Sequence, residues 1–373
     1  MIFDIRQGNA LDRLREMPDC SVNCCITSPP YFGLRDYGTA KWEGGSVACD
    51  HRGEPYRTKA AINANCGTGV DRKNAEDFQP MGQTCSKCGA RRIDSQIGLE
   101  AAPEQYIARL VDVFREVRRV LRDDGVLFVN IGDSYNAQPG QRKTTDKAGD
   151  KQATSIGSVG APSRCVDGIK PKDLIGIPWM LAFALRADGW FLRQDIIWHK
   201  PNPMPESVKD RCTKAHEYIF LLSKSQRYWW DADAIREPSE STDPRVARSS
   251  RTFAGAVQRN SDLERYGTTR GRTNQPCCNE NGRNKRSVWT IASLPTPEAH
   301  FATFPIDLPE LCMKAGCPEG GTVLDPFSGA GTTGLACLKN GRNYIGIELN
   351  AAYIEIAHQR ARKYYPLLIE VPA

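Results

Sequence analysis

The sequence predicts an α/β domain: a mostly parallel sheet covered by helices on both faces, with one antiparallel hairpin. Three observations carry this. Short apolar runs of strand length alternate with amphipathic helical stretches along most of the chain. One run, Thr322–Asp325, passes straight into a glycine-rich turn and a helix. Another, Val22–Thr27, meets Pro29-Pro30, which cannot extend a strand.

In chain order, Val22–Thr27 is the first expected strand; it and Thr322–Asp325 are expected at the edges of one sheet. Residues 103–121 form an amphipathic helix, with Tyr106, Leu110, Val113, Phe114, Val117, Val120 and Leu121 on one face. Asp123-Asp124-Gly125 turns this helix into a strand over 126–131. A helix over 173–187 leads to a strand over 191–198, and residues 218–222 and 227–230 read as the hairpin. After Thr322–Asp325 comes a helix of about ten residues ended by Asn340-Gly341, a strand over 344–348 and a closing helix over 351–364. Three stretches break the rhythm. Residues 40–98 are polar, with spaced Cys and His; 136–170 lack large apolar side chains and are expected to be a mobile loop; 231–289 are rich in Arg, Ser, Asn and Gly.

A hydrophobic fraction of 40 % over 373 residues supports a sizeable core, and no stretch has the length of a membrane span. Met1-Ile2-Phe3-Asp4 lacks the basic and apolar regions of a secretion signal, so a cytoplasmic protein without membrane contact is expected. In that compartment the 14 cysteines are not a disulfide framework, and Cys24, Cys25 and Cys337, set in apolar runs, read as buried free thiols. The net charge of +6 is compatible with a polyanionic partner.

Asp325-Pro326-Phe327-Ser328-Gly329-Ala330-Gly331 joins a strand to the helix that opens with Thr332 and Thr333. Glycines there let backbone approach a ligand, and the helix start supplies oriented N–H groups. Glu348 ends the following strand, where an acid can accept both hydroxyls of a ribose. The loop lacks the Gly-x-x-x-x-Gly-Lys-Ser/Thr pattern of a triphosphate cradle, and its length does not match Gly-x-Gly-x-x-Gly. At the other site, Thr27-Ser28-Pro29-Pro30-Tyr31 places a hydroxyl, a rigid backbone carbonyl and an aromatic face side by side. That set suits a planar base bearing an amino group: the oxygens accept from the –NH₂ and the Tyr31 ring stacks.

Ile26-Thr27-Ser28-Pro29-Pro30-Tyr31 resembles the signature of amino-methylating DNA methyltransferases, and Asp325 to Thr333 resembles their S-adenosylmethionine loop. His300-Phe301-Ala302-Thr303-Phe304-Pro305 is similar to the segment that closes over the methionine end of that cofactor. The catalytic motif precedes the cofactor loop, as in the circularly permuted β group. The resemblance implies a Rossmann-like methyltransferase sheet formed by 1–230 and 290–373, with 231–289 as the target-recognition region. It assigns Ser28, Pro29, Pro30 and Tyr31 to catalysis. It assigns Asp325, Pro326, Phe327, Ser328, Gly329, Gly331, Thr332, Thr333, Glu348, His300, Phe304 and Pro305 to the cofactor. Ser before Pro-Pro-Tyr resembles the cytosine-N4 subset; adenine-N6 enzymes more often carry Asp or Asn there, and Ser can accept from either amine.

The chemistry agrees with that resemblance. An exocyclic amine is a poor nucleophile because its lone pair is delocalised, and hydrogen bonds to Ser28 Oγ and the Pro29 carbonyl localise it. Direct transfer by positioning and electrostatics is expected, with the base flipped out of the duplex. Carbon-5 methylation needs a cysteine nucleophile; Pro276-Cys277, the one Pro-Cys pair, lies in the irregular basic stretch instead.

Cys49-x-His51 and Cys85-x-x-Cys88-Gly89 have the spacing of a structural zinc site, with Cys66 as a substitute ligand. Between Arg245 and Arg286 ten Arg or Lys residues interleave with Ser, Asn and Gln, suited to phosphates and base edges or to a solvated linker. Double-stranded DNA is the expected partner, a cognate restriction endonuclease a further one, and the chain a monomer or homodimer. His199-Lys200-Pro201-Asn202-Pro203 lines the base pocket or simply ends a strand, and Asp133 faces the site or caps a turn. Two other classes stay open: an RNA or protein-glutamine methyltransferase, and a non-catalytic zinc-containing DNA-binding protein. The intact motif pair disfavours the latter.

Overall fold

The computed structural model describes residues 1–33, 39, 41–46, 48–49, 84–85, 87–136, 166, 168–238, 282–293 and 304–366. The chain separates into two units, Met1–Trp230 with Ser287–Ala373, and Asp231–Arg286.

The first unit is built on ten strands and six helices among the described residues. The strands are β1 (Phe3–Gln7), β2 (Val22–Thr27), β3 (Lys41–Glu43), β4 (Arg91–Ile93), β5 (Leu121–Ile131), β6 (Phe191–His199), β7 (His216–Ser223), β8 (Val288–Thr290), β9 (Thr322–Asp325) and β10 (Asn343–Glu348). The helices are α1 (Ala10–Arg15), α2 (Pro103–Val120), α3 (Ile177–Ala187), α4 (Asp307–Gly316), α5 (Thr332–Lys339) and α6 (Ala351–Tyr364). Eight strands form one sheet in the order β1-β10-β9-β2-β5-β7-β6-β8, in which only β7 pairs antiparallel with its neighbours. β3 and β4 form a separate antiparallel pair.

Strand alternation divides the core in two. Cys25 of β2 faces a cluster with Leu14 of α1, Leu110 and Phe114 of α2, and Leu181 and Leu185 of α3. Cys24 and Ile26 face the other, with Cys312 and Met313 of α4 and Ala336 and Cys337 of α5. The helices thus cover both sheet faces, as the near-continuous apolar runs of the central strands require. Cys24, Cys25 and Cys337 are buried free thiols, as expected, and burial pushes all three well above the ordinary thiol range.

Several expectations need correction. β2 and β9 are central neighbours, not edges. Residues 218–222 do lie in a hairpin, but their partner is β6 and not 227–230. Both sides of β7 are taken, by β5 and β6, so no ladder is left for 227–230; Trp230 instead packs its ring on Phe128 at 6.3 Å. The turn expected at 123–125 lies within β5, where its register with β2 shifts. α3 starts at Ile177 and not at 173, because Gly176 sits at φ 87° and the Asp133 carboxylate accepts the Gly176 and Ile177 N–H groups at 3.1 Å. Asp133 is therefore a helix cap. β1, α1, α4 and β8 were not foreseen.

In the second unit, residues 239–281 lie outside the described residues, as does most of the 136–170 stretch. Glu237 gathers Arg283, Lys285 and Arg286, at 3.2, 3.4 and 2.9 Å.

Candidate active site

The site is assembled where two central strands end side by side. Parallel pairing sets Cys24 against Val323 and Cys25 against Leu324, so Thr27 and Asp325 leave the sheet together. Thr27 Oγ1 donates to Asp325 Oδ1 at 2.7 Å, Thr333 Oγ1 to Oδ2 at 2.7 Å, and the Phe327 N–H to Oδ1 at 3.1 Å. Asp325 is 1 % exposed. Burial pushes its carboxyl from an ordinary 3.8 to about 6, against the pull of the three hydrogen bonds. Between about pH 4 and about pH 6 the folded chain holds a proton here that the unfolded chain has released. The group's contribution to stability is thus fully present below about pH 4 and lost as pH rises through about 6. In Asp325→Asn this component disappears. The stability gap between wild type and variant, from urea midpoints, should drift across that window and level off above about pH 7. A gap independent of pH would mean that the carboxyl titrates normally.

From Thr27 the chain turns through Ser28-Pro29-Pro30-Tyr31. Pro29 is buried, Ser28, Pro30 and Tyr31 half-buried. The Tyr106 hydroxyl of α2 donates to the Pro30 carbonyl at 2.8 Å and pins the corner. The Tyr31 ring lies over Gly132, where an added Cβ would come within 2.7 Å of Tyr31 Cε2, so only glycine fits under it. The Tyr31 hydroxyl donates to Glu217 Oε2 at 2.6 Å. Asn130 Nδ2 donates to the same oxygen at 3.1 Å and to the Tyr218 carbonyl at 3.2 Å, and the Lys200 ammonium pairs with Glu217 Oε1. Burial, then the Glu217 charge, hold the Tyr31 phenol well above its usual range.

The glycine turn is equally specified. Gly331 has φ 73° and its Cβ position lies 2.7 Å from Ala357 Cβ, so α6 packs directly on its backbone. Arg360 of α6 donates to the Ala330 carbonyl at 2.6 Å and to Thr332 Oγ1 at 3.2 Å. Ser328 Oγ accepts from Tyr344 Oη at 2.8 Å. Thr332 and Thr333 are buried within this packing, as is Pro326, while Phe327 is half-buried against the first core cluster. Gly329 offers bare backbone: an added Cβ would meet nothing within 4 Å. Its N–H donates to Glu348 Oε2, and the Asn350 N–H to Glu348 Oε1, both at 2.8 Å. The two Glu348 oxygens are acceptors, the groups to which the hydroxyls of a vicinal diol donate. Beside Glu348 a cleft of about 610 Å³ is lined by Gln7, Asn9, Arg13, Lys41, Leu349 and Asn350, within the size range of small-molecule pockets. Phe304 and Pro305 lead into α4, with Phe304 against the second core cluster; His300 lies outside the described residues.

Apart from this crevice, the Sγ atoms of Cys49, Cys85 and Cys88 lie within 4.8 Å of one another, Cys49 and Cys85 at 3.7 Å. Gly89, at φ 71°, allows the turn, and Gly45 lies so close that a Cβ there would sit 2.7 Å from Cys88 Sγ. His51 and Cys66 fall outside the described residues.

Nothing in the sequence marks Tyr106, Gly132, Asn130 or Glu217 as site residues, and Lys200 sits in a segment that reads equally as pocket lining or as a strand end. The Tyr31 contacts reveal them; each lies on a segment that reads as core or strand.

Residues 22–359 match the family model described as DNA methylase, for N6 and N4 methyltransferases. The chain is 39 % identical over 354 residues to the type II methyltransferase M.Cfr9I of Citrobacter freundii, covering 95 % of this chain and 86 % of the relative. It is 39 % identical over 353 residues to M.SmaI of Serratia marcescens, covering 95 % and 88 %. The fold aligns with the structure of the PvuII DNA methyltransferase, described as cytosine-N4-specific, at a TM-score of 0.53 and 15 % identity, covering 100 % of this chain and 89 % of that one. With both motif corners joined at the ends of β2 and β9, and a family match that runs through both, this chain belongs to the DNA methylase family of N6 and N4 amino-methyltransferases.

Proposed function

We propose that the protein methylates the N4 amino group of a cytosine at a defined site in duplex DNA, by base flipping and direct transfer. The observation that carries this is the hydrogen bond from Thr27 to Asp325, which brings the Ser28–Tyr31 corner against the glycine turn. S-adenosylmethionine supplies the methyl group when bound. The bare backbone at Gly329 and the acceptor oxygens of Glu348 fit its ribose and flanking atoms. Asp325 to Thr333 form its cradle, and His300, Phe304 and Pro305 close over its far end. Ser28 Oγ and the Pro29 carbonyl accept from the target amine, drawing its lone pair out of the ring, and Tyr31 stacks on the base. Serine ahead of Pro-Pro-Tyr favours cytosine over adenine. Residues 231–289 read the target, with their arginines on phosphates and guanine edges. The type II relatives support a restriction endonuclease as cognate partner.

Duplex DNA treated with the purified protein and labelled cofactor, digested to nucleosides and resolved by mass spectrometry, tests this. N4-methylcytosine is expected. N6-methyladenine overturns the base assignment, and label found only in RNA or protein overturns the whole reading.

Cys49, Cys85 and Cys88, with His51 as fourth ligand, hold one structural zinc that fastens the 40–98 segment; four protein ligands leave no open position for chemistry. Elemental analysis should find one zinc per chain, lost in Cys85→Ser together with thermal stability. Zinc-free protein of unchanged stability, after expression with ample zinc, removes this site.

A further inference from the structure

We infer that Glu217 is the terminal acceptor of the proton released by the methylated amine, reached through the hydroxyls of Ser28 and Tyr31. This rests on the proposed role of Ser28 as hydrogen-bond acceptor for that amine.

A methylated exocyclic amine carries one proton too many, and the nitrogen regains a neutral state only if a base takes it. Two of the acids beside the corner have other duties. Both oxygens of Asp325 are engaged by Thr27, Thr333 and Phe327, and Asp133 caps α3. Asn130, behind Tyr31, carries an amide and cannot accept a proton in this range. Glu217 is different. Its Oε2 accepts the Tyr31 hydroxyl at 2.6 Å, and the Ser28 side chain hydrogen-bonds to Tyr31 in turn. The inferred line of exchangeable protons runs from Ser28 through Tyr31 to this carboxylate.

The balance is as follows. The amine lone pair forms the N–C bond as the methyl leaves its carrier. An N–H bond then breaks, its electron pair staying on nitrogen and its proton passing to Ser28 Oγ. The Ser28 proton moves to Tyr31 Oη, and the Tyr31 proton moves to Glu217 Oε2, leaving a neutral acid. The Tyr31 phenol, held neutral by burial, passes protons on without storing charge. The Lys200 ammonium pairs with Oε1, and the 16 % exposed Glu217 side chain lets the proton pass on to water. A carboxylate suffices as the acceptor because the cationic amine conjugated with a base ring is strongly acidic. Glu217 does not touch the target; it acts through Tyr31, with Asn130 fixing its orientation.

The test is single-turnover methyl transfer to duplex DNA by the full chain. Glu217→Gln should slow transfer by about 10²-fold or more while cofactor and DNA affinities hold, and Glu217→Asp should recover part of the rate. Tyr31→Phe should cost about as much, and Tyr31→Phe combined with Glu217→Gln no more than either alone. A Glu217→Gln rate within about threefold of wild type, or losses that multiply in the double variant, each overturn the relay. Should Glu217→Gln not fold, Tyr31→Phe alone within about threefold of wild type does the same. Wild-type protein that methylates no duplex DNA fails at the earlier step, and so refutes the proposed function instead.

Discussion

Ser28→Ala is expected to lower the single-turnover methyl-transfer rate by about 10²–10³-fold with cofactor affinity unchanged. The hydroxyl is small, half-buried and outside the Asp325 junction, so its loss leaves Thr27, Pro29 and the glycine turn in place. In the proposed reaction, what disappears is an acceptor that localises the amine lone pair as the new bond forms. That interaction is worth most when charge builds on nitrogen, so the loss belongs in the chemical step and not in binding. Quenched-flow measurement beside a cofactor titration separates the two. A rate loss below about fivefold, or a loss matched by weaker cofactor binding, would show that Ser28 has a different task.

Asp325→Ala should have the larger effect on the fold and abolish activity as well. Removing this carboxylate strands two hydroxyls and one backbone N–H in a site that is 1 % exposed. Orphaned buried donors cost about 1–3 kcal/mol each, and a small cavity adds to this, so a loss of roughly 3–5 kcal/mol is expected. Chemical denaturation measures it. The junction also sets the distance between the Ser28 corner and the glycine turn, so transfer should fail even in the folded fraction. An Asp325→Ala protein that unfolds at the wild-type denaturant concentration would mean that the hydroxyls find other partners and that the junction is not held by this group.

How much was legible in the sequence depends on the range over which each feature is determined. The Ser28–Tyr31 corner and the Asp325–Gly331 turn are local: prolines forbid a strand and glycines permit a tight turn, whatever the rest of the chain does. The face of α2 was equally plain, because Tyr106, Leu110, Val113, Phe114 and Val117 recur at helical spacing and are all buried. Glu217 was not legible. It is the second residue of β7, just ahead of that strand's apolar run, and nothing nearby signals that β7 lies beside β5 and so brings it to the Tyr31 hydroxyl. The hairpin was misassigned for the same reason: a polar turn after Ser223 invites local pairing, while the true partner, β6, lies upstream across a longer connection. β1 was missed because Phe3–Gln7 alternates weakly and buries only partly. Glu348 ends its strand as expected, but the backbone N–H groups that orient its oxygens could not be read from composition.

The order of strands has a consequence for how the protein comes into being. β9 is inserted between β2 and β10, and β1 pairs with β10 alone. Thr27 and its partner Asp325 stand 298 residues apart. A nascent chain on the ribosome thus carries its Ser28–Tyr31 corner through most of synthesis with an open sheet flank beside it. The enzyme switches on late and all at once, when residues 322–348 emerge and slot into the waiting gap. Closing so long a loop makes this a slow folding event, and it leaves the unfinished flank in need of shelter from other chains until then.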